Sequence, residues 1–275
     1  MHYLLLGLLL TPNICFAKAN RKLYGVTIDS ISELPDTLKA LKTLKQKPVT
    51  RIVFDEDIPA SDYKDAVTQI HKVSFTMGEL LDSYYAKNIT PAALEKRTAD
   101  YLKTLGDQID IWEIGNEING EWLGKSEDVV KKLNSVYSAV RTDKKKMALT
   151  LYYNEGCFEN AANETFTWAK KNISDEMKKS LDYVLLSYYE DDCNGLQPDW
   201  PTVFKKLGEM FPNSKLGFGE VGTKVAAKKE SYLKRYYSLK IDHPRFIGGY
   251  FWWYFKQDMT PANSPLLKVL NTELK

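Results

Sequence analysis

The chain has 275 residues, 44% of them hydrophobic and 27% charged, enough for one large core, and α/β barrels of this size form single domains, so no second domain is required. With 38 Lys and Arg against 36 Asp and Glu the net charge is only +2, which excludes the strong basic field that steers proteins to nucleic acid or anionic membranes and favours a neutral partner. The 17 Tyr, 11 Phe and 6 Trp offer flat apolar faces of the kind on which sugars stack, although most rings in proteins fill cores.

Taken in chain order, residues 1–17 read as an export leader. Tyr3–Leu10 is almost unbroken in its apolar character, Pro12 and Asn13 interrupt it, and Cys15-Phe16-Ala17 sets small residues where a signal peptidase reads. The segment before the apolar run lacks Lys and Arg, and a buried N-terminal strand is the alternative. The run is too short for the ~20 residues a bilayer needs. No membrane insertion is expected, and residues 18–275 are expected to be a secreted or periplasmic catalytic domain acting as a monomer. Without the leader, Cys157 and Cys193 are an even pair in an oxidising compartment. Each follows a predicted strand in neighbouring loops, so one bridge between them is expected, with two unpaired buried thiols as the alternative.

Beyond the leader, apolar β-rich runs alternate with helical patterns. The first strand, Leu23–Ile28, runs into Asp29-Ser30 rather than the Gly-rich phosphate loop of a doubly wound sheet. A helix is predicted over Leu34–Lys45, a strand over Val49–Asp55, a third strand over Val73–Met77 and a helix over Ala92–Leu105. The fourth strand, Ile109–Asn116, precedes a helix over Asp128–Thr142. The fifth, Ala148–Tyr153, precedes one over Thr165–Lys171, and the sixth, Tyr183–Tyr189, one over Trp200–Phe211. The seventh, Lys215–Glu220, leads to a helix over Lys228–Lys240, and the eighth strand is Phe246–Tyr254. Pro48, Pro198, Pro212 and Pro244 fall at junctions, where a missing N–H costs least. Eight β-then-α alternations predict a (β/α)8 TIM barrel of class α/β.

In such a barrel the strand C-termini share one face, and active sites are built there. The ends form a ring of Asp29, Asp55 with Asp57, Met77 with Glu79, Asn116 with Glu117, Tyr153 with Asn154, Tyr188 and Tyr189 with Glu190, Glu220, and Trp252 with Trp253. Cleaving an acetal needs a proton for the leaving oxygen and a negative group to meet the oxocarbenium-like carbon. Two carboxyls do both if one is held protonated and the other ionised. Glu117 and Glu220 end strands on opposite sides of the mouth. In the retaining arrangement such carboxyls stand ~5–5.5 Å apart and one forms a covalent glycosyl-enzyme.

Asn116-Glu117 closing strand four, a lone Glu220 closing strand seven and an aromatic pair on strand eight resemble clan A of the retaining glycoside hydrolases, the barrel enzymes that include cellulases, mannanases and β-glucanases. The resemblance implies Glu117 as acid/base, Glu220 as nucleophile and Asn116 as partner of the sugar 2-hydroxyl. It implies Tyr189 hydrogen-bonding near the nucleophile, Trp253 as floor of the central subsite, and Arg51 as the second-strand arginine that steadies the nucleophile. Tyr188, Trp252, Asp55 and Tyr153 join the expected substrate-binding set. The histidines that many family-five enzymes carry after strands three and five are absent; Ser74-Phe75-Thr76-Met77 and Leu151-Tyr152-Tyr153 stand there.

Several residues carry blander readings. Glu113 shares strand parity with Glu117 and is read as a structural carboxylate paired with a cation inside the barrel, Trp112 as packing outward against a helix, and Glu155 as the rival carboxylate. No cofactor and no metal are expected, since the two histidines of the mature chain, His71 and His243, are too few for metal-dependent barrel hydrolysis. The expected activity is endo-cleavage of a β-linked poly- or oligosaccharide. The alternative is a glycan-binding barrel, a lectin or sensor, which would need neither carboxylate.

Overall fold

The computed structural model describes residues 22–274; the leader expected over 1–17 lies outside the described residues. Eight parallel strands close into a barrel in chain order: β1 (Leu23–Ile28), β2 (Val49–Val53), β3 (Phe75–Glu79), β4 (Ile111–Gly115), β5 (Met147–Tyr152), β6 (Tyr183–Tyr188), β7 (Lys215–Val221) and β8 (Phe246–Trp252). Leu23 of β1 pairs with Gly248 of β8, so no strand is left with an open edge. The helices between strands are α1 (Leu34–Thr43), α2 (Ala60–Val73), α3 (Pro91–Leu105), α4 (Ser126–Thr142), α5 (Thr165–Asn172), α6 (Asp175–Ser180), α7 (Trp200–Met210) and α8 (Ala226–Tyr237); α9 (Phe255–Met259) and α10 (Pro265–Glu273) follow β8. This is the (β/α)8 barrel the sequence predicts.

The two-residue period of a strand sorts these residues into shells. Val49, Met77, Ile111, Ala148, Leu185 and Ile247 point into the barrel and fill its lower end. Two residues further along their strands, Arg51, Glu79, Glu113, Thr150 and Ser187 also point inward, and all five are fully buried. An apolar plug therefore carries a polar layer directly above it. The outward parity, including Ile52, Trp112, Ile114, Leu149, Leu151, Val184 and Leu186, packs against the helices in a larger cluster. Trp112 is in this outer shell, 6.3 Å from the Phe54 ring.

Boundaries move where a helix claims residues that read as strand. Val73 closes α2 and β3 opens at Phe75, not at Val73. Tyr63, Ala66, Val67 and Ile70 give α2 a buried face. Ser74 then turns the chain, its hydroxyl donating to Pro48 O at 3.0 Å and accepting from Thr50 N at 3.0 Å.

The mouth is braced by two devices. Arg97 of α3 donates to the carbonyls of Leu80 (2.8 Å), Glu56 (2.9 Å), Phe54 (2.9 Å) and Asp55 (2.8 Å), binding the loops after β2 and β3 to the helix shell. Cys157 and Cys193, in the segments after β5 and β6, form the expected disulfide with a Cα–Cα distance of 5.1 Å. Closure between β7 and β8 depends on glycine. Gly248 and Gly249 lie at φ 87° and 84°, and a Cβ on Gly249 would stand 2.2 Å from Phe218 O. Only glycine reaches that conformation with that neighbour at low cost. Among the described residues no helix is long and apolar enough to cross a membrane.

Candidate active site

Chain direction places the ends of β4, β6 and β7 at one mouth. Glu117 lies two residues past β4 in the left-handed region, at φ 48°, and Gly120 N donates to Glu117 O at 2.7 Å to close the turn. A non-glycine residue in that region costs on the order of 1 kcal/mol, and such strain gathers at functional sites. The turn aims a buried carboxyl at β6: the Ser187 hydroxyl donates to Glu117 Oε1, and Ser83, from the loop after β3, donates to Oε2 at 2.8 Å. Ser187 is also the β6 partner of Glu220 on β7. One serine thus touches one glutamate and neighbours the other.

Glu220 is buried near the end of β7. Tyr189 donates its hydroxyl to Glu220 Oε1 at 2.6 Å. Arg51 approaches Oε2 with Nη1 at 3.4 Å, and Oε2 makes no hydrogen bond. Arg51 is itself fully buried and divides its charge: Nε meets Glu113 at 2.7 Å, and Nη2 meets Glu79 at 3.0 Å. Thr150 donates to the other oxygen of Glu113. Removing a guanidinium from water is costly unless carboxylates face it. Glu113 is its closest partner, so Arg51 is the barrel cation with which Glu113 was expected to pair. Above Arg51 lies the Trp253 ring, its centroid 5.5 Å from the guanidinium carbon.

Burial dominates the electrostatics. It pushes the Glu117 carboxyl up to about 6, against the Ser187 and Ser83 hydrogen bonds that pull it down. Glu220 is pushed well above the ordinary carboxyl range by burial and then by the charge of Glu117, with Arg51 and Tyr189 opposing. Taken singly, that order would put the proton on Glu220. The contacts argue the reverse for the pair. Glu220 holds both the cation and the phenol donor, whereas Glu117 holds only two hydroxyls, and a proton shared by coupled carboxyls resides where the negative charge is least supported. Tyr189 is pushed up by burial and by Glu220, so it remains a protonated donor. The arrangement supplies one carboxyl able to give a proton near pH 6 and one carboxylate steadied by a cation and a phenol.

Arg51, Glu117, Tyr189, Glu220 and Trp253 therefore converge. Asn116 is buried next to Glu117 with its Oδ1 lacking a hydrogen-bond partner among the described residues. Four expected substrate-binding residues do not join them. Tyr188 alternates with the inward Ser187 and so faces out, donating to Leu196 O and packing 5.0 Å from the Trp200 ring. Tyr153 is turned the same way, 5.3 Å from Trp200, with its hydroxyl on Glu155 at 3.0 Å. That contact also occupies the rival carboxylate. Trp252 is wholly buried and donates Nε1 to Asp258 at 2.9 Å. Asp55 is exposed and accepts from Tyr63 at 3.0 Å. Parity alone could have assigned Tyr188 and Tyr153 outward. The sequence reading missed Ser187, Ser83, Tyr152 and Trp122, and it set Glu79 in the ring of strand ends without a role. Ser187 had the same parity signal as Tyr189, whereas Ser83 and Trp122 stand in loops where no period marks them.

No protein-family model matches this chain, and no curated protein sequence matches it. Among solved structures it is similar to Gas2p of Saccharomyces cerevisiae in complex with laminaritriose and laminaritetraose, at 12% identity and a TM-score of 0.58, over 92% of this chain and 64% of that one. It is similar also to Gas2p in complex with laminaripentaose, at 12% identity and a TM-score of 0.56, over 94% and 66%. A glutamate-to-glutamine variant of Gas2p without ligand matches at 11% identity and a TM-score of 0.58, over 92% and 60%. At this identity the likeness is one of fold. The chain spans 64% of the first of these neighbours.

Proposed function

We propose that this chain is a retaining glycoside hydrolase acting on β-linked poly- or oligosaccharide, with Glu117 as acid/base and Glu220 as nucleophile. The observation that carries the reading is the pair at the mouth, in which Ser187 donates to Glu117 and stands beside Glu220 in the sheet, while of the two glutamates only Glu220 is in contact with Arg51 and Tyr189. In the first step Glu220 Oε2 forms a bond to the anomeric carbon as the glycosidic C–O bond breaks, and the Glu117 proton passes to the leaving oxygen. In the second, the Glu117 carboxylate takes a proton from water, the water oxygen bonds to the anomeric carbon, and Glu220 departs as carboxylate with configuration retained. Oε2 is assigned the attack because it has no hydrogen bond, while Oε1 accepts from Tyr189. Trp253 would form the floor of the central subsite and Asn116, with Oδ1 unpartnered, would meet the sugar 2-hydroxyl.

The Gas2p neighbours were solved with laminari-oligosaccharides, which makes that series the first substrates to test. We propose further that the protein is secreted and monomeric, with residues 1–17 as its leader; the Cys157–Cys193 bridge supports an oxidising compartment.

Mechanism-based labelling tests the reading. A 2-deoxy-2-fluoro-β-glycosyl fluoride should attach to Glu220, found by mass spectrometry of the digested protein. Glu220→Gln should lose at least a thousandfold in turnover (~4 kcal/mol of transition-state stabilisation) while still melting in one cooperative transition. Hydrolysis by Glu220→Gln at the wild-type rate, on any substrate the wild type cleaves, would overturn the assignment.

A further inference from the structure

A glycosidase that protonates its leaving oxygen from Glu117 must hold the departing sugar on the outer side of that carboxyl, and the residues found there were not among those expected. Ser83 donates to Glu117 at 2.8 Å and accepts from Trp122 Nε1 at 3.2 Å. The Trp122 ring is thereby tied, through one hydroxyl, to the proton donor. Tyr152, at the end of β5, fixes the indole plane from the other side, with ring centroids 5.2 Å apart at 76°. Trp122 is nonetheless 37% exposed. A large ring held by two partners and left open on one face is a platform, not a core residue. The Tyr152 hydroxyl has no hydrogen-bond partner among the described residues. Burial, then Asp192 and Glu117, hold that phenol well above its ordinary range, so it remains a donor.

We propose that Trp122 and Tyr152 form the leaving-group subsite, with Ser83 registering Trp122 against Glu117, and that this subsite takes an uncharged sugar ring. Trp122 stacks on the C–H face of that ring and Tyr152 donates to one of its hydroxyls. The restriction to uncharged sugars follows from the neighbours: the charge of Asp82 acts on Glu117 and on Glu220, and Asp192, Glu117 and Glu121 all act on Tyr152. A uronate or sulfate placed among them would meet four carboxylates, against Lys224 acting on Asp192 and Arg51 acting on Glu117, and that excess of like charge discriminates between substrates. The inference rests on the proposed role of Glu117 and names the substrate class for that same site.

The fluoroglycosyl-enzyme separates this inference from the reading on which it rests. Its formation expels fluoride, too small to reach Trp122, whereas its reactivation by an acceptor saccharide requires the leaving-group subsite. Wild-type labelled enzyme should be reactivated saturably by laminaritriose and poorly by a glucuronic-acid disaccharide. Trp122→Ala should label at close to the wild-type rate, which also reports that it is folded, while the half-saturating laminaritriose concentration rises about tenfold, as expected for losing ~1.4 kcal/mol of stacking. Trp122→Phe should fall between, and Tyr152→Phe should weaken the acceptor without slowing labelling. Labelling with unchanged acceptor dependence in Trp122→Ala overturns this inference alone. Equal reactivation by the uronic acid overturns its restriction to uncharged sugars. Absence of label on the wild type overturns the role of Glu220 and this subsite with it.

Discussion

Glu117 combines a backbone at φ 48° with a carboxyl that burial raises from its ordinary 4.5 to about 6, and both features have measurable consequences. In the proposed role of general acid it must be protonated, so kcat/KM should decline as pH rises through about 6; an alkaline limb far above that value would separate Glu117 from the proton donated. The same shift acts on stability. A carboxyl that binds its proton more tightly when folded favours the folded state most below pH 4.5 and loses that contribution as pH rises through about 6. Glu117→Gln should therefore be more stable than wild type at pH 7.5, by on the order of 2 kcal/mol, with the difference vanishing near pH 4; thermal melts at the two pH values measure it. Glu79 offers a second case. Arg51 faces Glu79, Glu113 and Glu220, and one cation cannot neutralise three buried carboxylates. Neither Glu79 oxygen makes a hydrogen bond, and burial pushes its carboxyl well up against the pull of Arg51, so the proton belongs there. Glu79→Gln should then keep near-wild-type kcat, whereas Glu79→Ala should lose roughly tenfold or more as Arg51 shifts toward the cavity, a change of ~1.4 kcal/mol. Equal loss in both variants would mean that a negative charge at Glu79 is needed.

At the scale of elements, the strands were legible because each carries an apolar run of the right length, and their ends fell within about two residues, the usual reach of such boundaries. Where they moved, a neighbour decided: α2 took Val73 as the partly buried residue one turn past Ile70 on its apolar face. Glu113 was legible through strand parity, and the Arg51 contact bears it out, whereas Arg51 and Tyr189 were expected only from the resemblance to clan A. Residues in connections were not legible. Ser83 and Trp122 are positioned by contacts across separate loops, which no local pattern encodes. The disulfide is the one loop feature that composition foretold, and it joins segments 36 residues apart. Chain-entropy loss in the unfolded state should make it worth up to ~4 kcal/mol. Replacing Cys157 and Cys193 together with serine should lower the melting temperature by up to ~10 °C, read by calorimetry, while fluoroglycoside labelling of Glu220 persists below the transition.

For the whole molecule, the same alternation that builds the barrel also stratifies it: an apolar floor at the lower end, a charged layer resting on it, and the buried carboxyls of Glu117 and Glu220 above. The floor tolerates many apolar residues of suitable volume, which is why the fold is recognisable in structures sharing few residues with this chain. The charged layer is more demanding, because the buried Arg51 depends on carboxylates at fixed positions, Glu79 and Glu113 within the layer and Glu220 above it. Gly248 and Gly249 are more demanding still. A side chain at Gly249 would collide with the backbone of β7, so the pair marks a place where barrel closure leaves the chain no choice of residue. Trp253 stands four positions beyond Gly249. Among barrels too diverged to align, a glycine doublet leading at that interval to a mouth-facing tryptophan offers a fingerprint by which distant kin of this chain could be gathered from sequence collections.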